Sequence, residues 1–129
     1  MINKKRYNNL LTTLSRTSPS LLLIQTSLLE RSGPALFLAP DVSKHPGACG
    51  SRNEIFHLHE SDGSMHLMLA PRDARLVIER GWGERFGLSG TVMPSWYVMV
   101  YAPRSEAEMS VVEGILRAAA RFMIGDEGR

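Results

Sequence analysis

Three of the four histidines in the chain fall within one short stretch: His57, His59 and His66. Imidazole has an ordinary pKa near neutrality, so it can take up and return a proton at physiological pH. Its neutral nitrogen is also a common ligand of divalent metals. His57 and His59 are two residues apart, which in a strand puts both on one face. Ser61-Asp62-Gly63-Ser64 follows, and Asp-Gly is a strong signal for a two-residue hairpin turn. A turn centred on Asp62 and Gly63 makes Ser61 face Ser64, Glu60 face Met65, His59 face His66 and His57 face Met68. Directly opposed Cβ atoms lie about 4.5–5.5 Å apart, so all three imidazoles gather on one face of one hairpin. Phe56, Leu58, Met65, Leu67 and Leu69 occupy the other face, the apolar surface that helices cover. The histidine face is left to solvent, a loop or a ligand. A one-residue slip would send His66 to the apolar side and dissolve the cluster.

This cluster supports two chemistries. One imidazole can act as general base while the others orient it or stabilise charge, making His57, His59 and His66 the candidate catalytic residues. Like charges this close disfavour each other, so at least one ring has its pKa depressed. Alternatively, the same three residues hold a divalent metal and leave a fourth position open. The sequence identifies no carboxylate behind them, since Glu60 points to the opposite face. Glu54, Trp82, Glu84, Tyr97, Tyr101 and Arg104 are candidates to line a pocket beside the hairpin. Among these, Trp82, Glu84, Tyr101 and Arg104 are expected to contact substrate, and Arg104 suits a carboxylate or an enolate. His45 and Cys49 share a loop, but no local signature marks them as a nucleophile pair. The glycines at 81, 83, 87 and 90 follow a helix instead of opening one, unlike a phosphate-binding loop.

The elements that must carry these residues are an alternation of strands and helices. Tyr7, Leu10, Leu11 and Leu14 follow the spacing of an amphipathic helix, which Ser18, Pro19 and Ser20 end. Leu21 to Leu29 reads equally as strand or helix. Ala35 to Ala39 is a short strand closed by Pro40, and Asp41 to Asn53 is a loop. Glu54 to His59 and Met65 to Ala70 are the hairpin strands. Pro71 suits the first position of a helix whose stripe is Ala74, Val77 and Ile78, with Gly81 placed to end it. The glycine-rich residues after it form a loop. Trp96 to Ala102 is a strand. Ser105 and Glu108 form a capping box, and Met109, Val112, Leu116, Ala119 and Met123 line one face of a helix running to about Ile124. The expected fold is α+β: a small sheet of about four strands with a central β-hairpin and helices on one face. Residues 1–33 form a leader, residues 34–124 the domain proper and residues 125–129 a frayed tail.

Composition narrows the class. The chain has 129 residues, 43% of them hydrophobic and 22% charged, the balance of one globular domain. Fifteen basic and thirteen acidic side chains give a net charge of +2, too even for a dedicated nucleic-acid binder. A single cysteine excludes an internal disulfide framework. No apolar run is long enough to span a bilayer. The first acidic residue is Glu30, and a basic, hydroxyl-rich, acid-free leader has the composition of a mitochondrial transit peptide. Cytoplasmic localisation is the expectation and mitochondrial the alternative. An exposed edge strand can pair within or between chains, which leaves the oligomeric state open.

Three blocks resemble one known family. They are Glu54-Ile-Phe-His-Leu-His-Glu-Ser-Asp-Gly-Ser-Met-His66, Ala70-Pro-Arg-Asp-Ala-Arg-Leu-Val-Ile-Glu-Arg-Gly-Trp-Gly-Glu84 and Val98-Met-Val-Tyr-Ala-Pro-Arg104. Their order and spacing resemble the luciferase-type domain family, found in fungi and bacteria, over roughly residues 34 to 123. The matching positions are His57, His59, Asp62, Gly63, His66, Trp82, Glu84, Tyr101 and Arg104. The chain departs from the pattern near Phe86, where related sequences often carry a polar residue or histidine. The resemblance implies a small oxidoreductase or oxygenase that acts on a hydroxylated aromatic or pyrone-like molecule with O2 and no metal or organic cofactor. The expected partners are a small-molecule substrate and O2. The alternatives are a metal-dependent lyase or hydrolase with three histidine ligands and a non-catalytic ligand-binding module.

Overall fold

A computed structural model of the chain describes residues 4–28, 33–40, 53–59, 61–85 and 97–125. Helix α1 (Lys4–Thr17) leads into strands β1 (Leu22–Thr26), β2 (Pro34–Leu38), β3 (Glu54–Leu58) and β4 (Met65–Met68). Helix α2 (Pro71–Glu79), strands β5 (Gly83–Arg85) and β6 (Tyr97–Val100) and helix α3 (Glu106–Met123) follow. The strands form one sheet in the order β1-β2-β3-β4-β6-β5, and every neighbouring pair is antiparallel. The fold class is α+β, as expected, with six strands among the described residues in place of about four.

The two extra strands have separate causes. β1 comes from the ambiguous leucine-rich stretch, and pairing with β2 decides it as a strand. Periodicity alone cannot separate a short buried strand from a helix. β5 comes from the segment expected to be a glycine-rich loop. A Cβ at Gly83 would sit 2.3 Å from the Met99 carbonyl oxygen, so only glycine lets β5 lie this close to β6. The expected strand at Ala35 to Ala39 is β2, displaced by one residue. The expectations placed on His45, Cys49, Glu60, Phe86 and Trp96 lie outside the described residues.

One face of the sheet carries the core. Leu36, Phe56, Leu58, Met65, Leu67, Val98 and Val100 pack with Leu11, Val112, Leu116 and Met123 in one apolar cluster. Tyr7, Leu10, Leu11 and Leu14 of α1 are all buried, the stripe that the spacing predicted. Residues 4–28, set apart by composition as part of a leader, therefore contribute a helix and a strand to the common core. Tyr7 locks α1 in place: its hydroxyl donates to the Pro34 carbonyl (2.9 Å) and accepts from the Leu58 amide (3.2 Å). Burial, the largest influence, raises the Tyr7 pKa and keeps the hydroxyl protonated.

The helix ends follow local chemistry. Pro71 opens α2, where a missing N–H costs nothing. Gly81 ends it with φ +79°, its amide bonding to Ile78 (3.1 Å) while the Trp82 amide bonds to Val77 (3.0 Å). That pair of bonds is a Schellman cap, and it fixes where Trp82 leaves the helix. At α3 the Ser105 hydroxyl accepts from the Glu108 amide (3.1 Å). The return bond differs from the expected capping box: the Glu108 carboxylate accepts from the Arg104 amide (2.8 Å). Among the described residues, no helix is long and apolar enough to cross a membrane.

Candidate active site

The hairpin gathers the histidines with a different register from the expected one. His57 faces His66, Phe56 faces Leu67 and Leu58 faces Met65. The His59 amide donates to the Ser64 carbonyl, and the Gly63 amide to the His59 carbonyl, each at 2.8 Å. The connection between His59 and Ser64 is thus longer than a two-residue turn and is closed by Gly63 at φ +77°. His59 faces Ser64 rather than His66, and His57 faces His66 rather than Met68. The displacement is two residues, and side chains repeat every two residues, so the face is conserved. The rings of His57 and His66 lie 5.0 Å apart edge to face, and those of His59 and His66 lie 5.3 Å apart in a stack.

Of the expected alternatives for the histidine face, open exposure to solvent holds for one ring alone. His57 is 2% exposed and His66 8%. Only the His59 side chain, 32% exposed, reaches solvent substantially.

A carboxylate stands behind the cluster after all, and it is Glu54. Strict alternation from His57 would put residue 54 on the core face with Phe56 and Leu58. Between Leu36 and Phe37 the β2–β3 register shifts: Ala35 faces His57, Leu36 faces Phe56, and Phe37 faces Glu54. This β-bulge accommodates Ile55 as an extra residue and turns Glu54 onto the histidine face. There the Glu54 Oε2 lies 2.5 Å from His57 Nδ1, with both groups buried. Ser27 Oγ donates to the same oxygen (2.9 Å), and the Leu28 amide donates to Oε1 (2.8 Å). An ionised carboxylate only accepts, so His57 Nδ1 is the donor. The neutral ring then carries its lone pair on Nε2, the nitrogen able to take a proton.

His59 has its own carboxylate. Its Nδ1 lies 3.1 Å from Asp62 Oδ1, and Ser61 Oγ lies 2.9 Å from the same nitrogen. Asp62 Oδ1 also accepts from the Ser64 hydroxyl (2.7 Å) and amide (2.9 Å). These Ser64 bonds, and then His59, hold the Asp62 pKa down at about 2. Between the two carboxylate-backed rings sits His66. Burial first, and then repulsion from His57 and His59, lower its pKa to about 4. The cluster therefore presents a neutral imidazole flanked by two oriented ones. Among the described residues, no group of three His, Cys, Asp or Glu side chains has an arrangement that could hold a metal ion. The His59 and His66 rings are stacked side by side.

The other candidate residues gather elsewhere. Trp82, Tyr101 and Arg104 line a cavity of about 460 Å³ between the end of α2 and the start of α3, and His57, His59 and His66 are not among its lining residues. Glu84 is not among its lining residues but accepts a bond from the Tyr101 hydroxyl (3.0 Å). Arg104 is exposed and forms an ion pair with Glu108 (3.2 Å).

The pattern of the luciferase domain matches residues 52–119. The chain belongs to the luciferase domain family. Luciferases from Armillaria gallica, Armillaria mellea and Neonothopanus nambi are each 34% identical to it over 115 residues. Each match covers 80% of this chain and 43% of the relative, so the chain spans less than half the length of these proteins. No solved structure matches. The luciferase-domain match takes in Glu54, His57, His59, Asp62 and His66, while Ser27, which holds Glu54, lies ahead of it.

Sequence reading missed Glu54 as the partner of His57 and Ser27 as a partner of Glu54. A period-2 strand gives the wrong face for Glu54, and no local pattern marks the bulge. The available signal was an acidic residue opening a strand of otherwise apolar residues and histidines.

Proposed function

We propose that this chain is a small oxidoreductase of the luciferase type, with His57 as general base. The substrate is an enolic or phenolic small molecule, such as a hydroxylated pyrone. The observation that carries the reading is the buried Glu54 carboxylate on His57 Nδ1, which orients the ring and stabilises the imidazolium formed when Nε2 takes a proton. His66, kept neutral beside it, leaves room for that single positive charge.

In the reaction, substrate entry uncovers Nε2 of His57, which is buried in this structure, and that nitrogen removes the acidic proton of the substrate. The resulting anion forms a carbon–oxygen bond with O2. The substrate loses two electrons, dioxygen is reduced to the peroxide level, and the imidazolium returns the proton to the distal oxygen. Substrate and O2 thus become a hydroperoxide with atoms and electrons balanced. His59 and Asp62 stand at the exposed end of the cluster and orient the substrate.

The test is oxygen uptake by the purified protein with a hydroxypyrone. General-base catalysis contributes about 10²–10⁴-fold, so His57→Ala is expected to lose at least 100-fold. Absence of uptake by the wild type, or equal uptake by His57→Ala, overturns the reading.

A further inference from the structure

The cavity between α2 and α3 is a built site. Its volume of about 460 Å³ falls within the range of small-ligand pockets. Two aromatic residues line it, at positions the backbone fixes. The Schellman cap sets Trp82, and the Tyr101 amide donates to the Trp82 carbonyl (3.0 Å), extending the β5–β6 ladder by one pair. The bond from the Tyr101 hydroxyl to Glu84 orients the second ring. Val112 adds an apolar wall, and among the described residues the charged lining is Arg80, Arg104 and Glu108. Two guanidinium groups against one carboxylate give these lining residues a net positive charge. Glu108 engages the Nε and one terminal nitrogen of Arg104, while a guanidinium has five N–H donors.

We propose that this cavity binds a planar aromatic anion, independently of the histidine cluster. The flat ring lies against Trp82 and Tyr101, and its acidic group meets Arg80 and Arg104. Aromatic faces favour a flat ring, and a planar guanidinium matches a carboxylate through two parallel bonds. A neutral ring of the same shape keeps the stacking but loses the charge-assisted bonds.

The experiment titrates ¹⁵N-labelled full-length protein with 2-naphthoate and follows the indole N–H signals of its two tryptophans, with Trp82→Phe assigning that of Trp82. The expected result is a saturable shift of the Trp82 signal. Neutral 2-naphthamide is expected to bind at least tenfold more weakly, and so is naphthoate to the Arg80→Ala/Arg104→Ala double variant. Both arginines are exposed, so that variant keeps the fold. The proposal is overturned by non-saturable shifts, by equal binding of acid and amide, or by unchanged naphthoate binding in the Arg80→Ala/Arg104→Ala variant. None of these readouts depends on turnover, so this site and the proposed reaction fail separately.

Discussion

Glu54→Gln is the sharpest perturbation of the candidate active site, because it keeps the shape and changes only which atoms donate. In the native protein Oε1 accepts from the Leu28 amide, while Oε2 accepts from Ser27 Oγ and His57 Nδ1. The Leu28 amide cannot turn around, so the glutamine oxygen must stay at the Oε1 position. Its NH₂ then occupies the Oε2 position. The Ser27 hydroxyl can rotate and accept, but His57 Nδ1 can accept only by giving up its proton. The ring is forced into the opposite tautomer, with hydrogen on Nε2 and no lone pair there to act as base. Wrong-tautomer substitutions behind a catalytic imidazole cost about 10⁴ in turnover, so a loss of about 10³–10⁴ is expected. Replacing a charge-assisted bond with a neutral one costs about 1–2 kcal/mol of stability. For a domain of this size that lowers Tm by roughly 3–8 °C. Long-range ¹H–¹⁵N spectra report which ring nitrogen carries hydrogen, and oxygen uptake reports turnover. A Glu54→Gln variant that keeps the Nδ1–H tautomer and near-native turnover would refute the reasoning, because the carboxylate would then be incidental to His57.

Other perturbations test separate parts of the structure. His66 has a pKa lowered from 6.5 to about 4, so between those values the unfolded chain binds the extra proton. Its contribution is fully present above pH 6.5 and is lost as pH falls towards 4, about 3 kcal/mol in all at 1.36 kcal/mol per unit. Urea unfolding across that window should show the decline, and His66→Gln should flatten it despite His57, His59, Glu54 and Asp62 remaining. Ser27→Ala removes one of the donors on Glu54 Oε2. It should cost about 1 kcal/mol of stability and slow turnover by roughly tenfold, well short of Glu54→Gln. Gly83→Ala drives a Cβ into the Met99 carbonyl and should destabilise by about 1–3 kcal/mol, read by thermal unfolding. Tyr7→Phe strands the Pro34 carbonyl and the Leu58 amide, and should cost about 1–3 kcal/mol by the same measurement.

What could be read from the sequence was whatever depends on local period. The apolar stripe of α1, the proline and glycine ends of α2 and the serine cap of α3 each follow from spacing within one element. What could not be read depends on pairing across elements. β1 is a strand because β2 lies beside it, and β5 is a strand because Gly83 has no Cβ to hold β6 away. The hairpin shows both effects. Parity along the strand does not depend on the exact register, while turn chemistry gave a two-residue turn where the chain makes a longer connection between His59 and Ser64. Asp-Gly is compatible with both, since either loop uses a glycine with positive φ.

The bulge between β2 and β3 shows why the chemistry was harder to read than the fold. One row crosses the whole sheet: Gln25, Ala35, His57, His66, Met99 and Glu84, each the direct partner of the next. Every member of that row shares the histidine face, and Glu54 joins the face only because Ile55 adds a residue to β3. Without that extra residue the carboxylate would point into the apolar cluster around Phe56, where an ionised group has no donors to meet it. With it, Glu54 meets Ser27 and Leu28 at the end of β1, donors supplied by the segment that composition alone sets apart. The N-terminal helix and strand thus do more than extend the core, because they complete the setting of His57. Shortening the chain ahead of β2 should therefore impair His57 chemistry as well as stability.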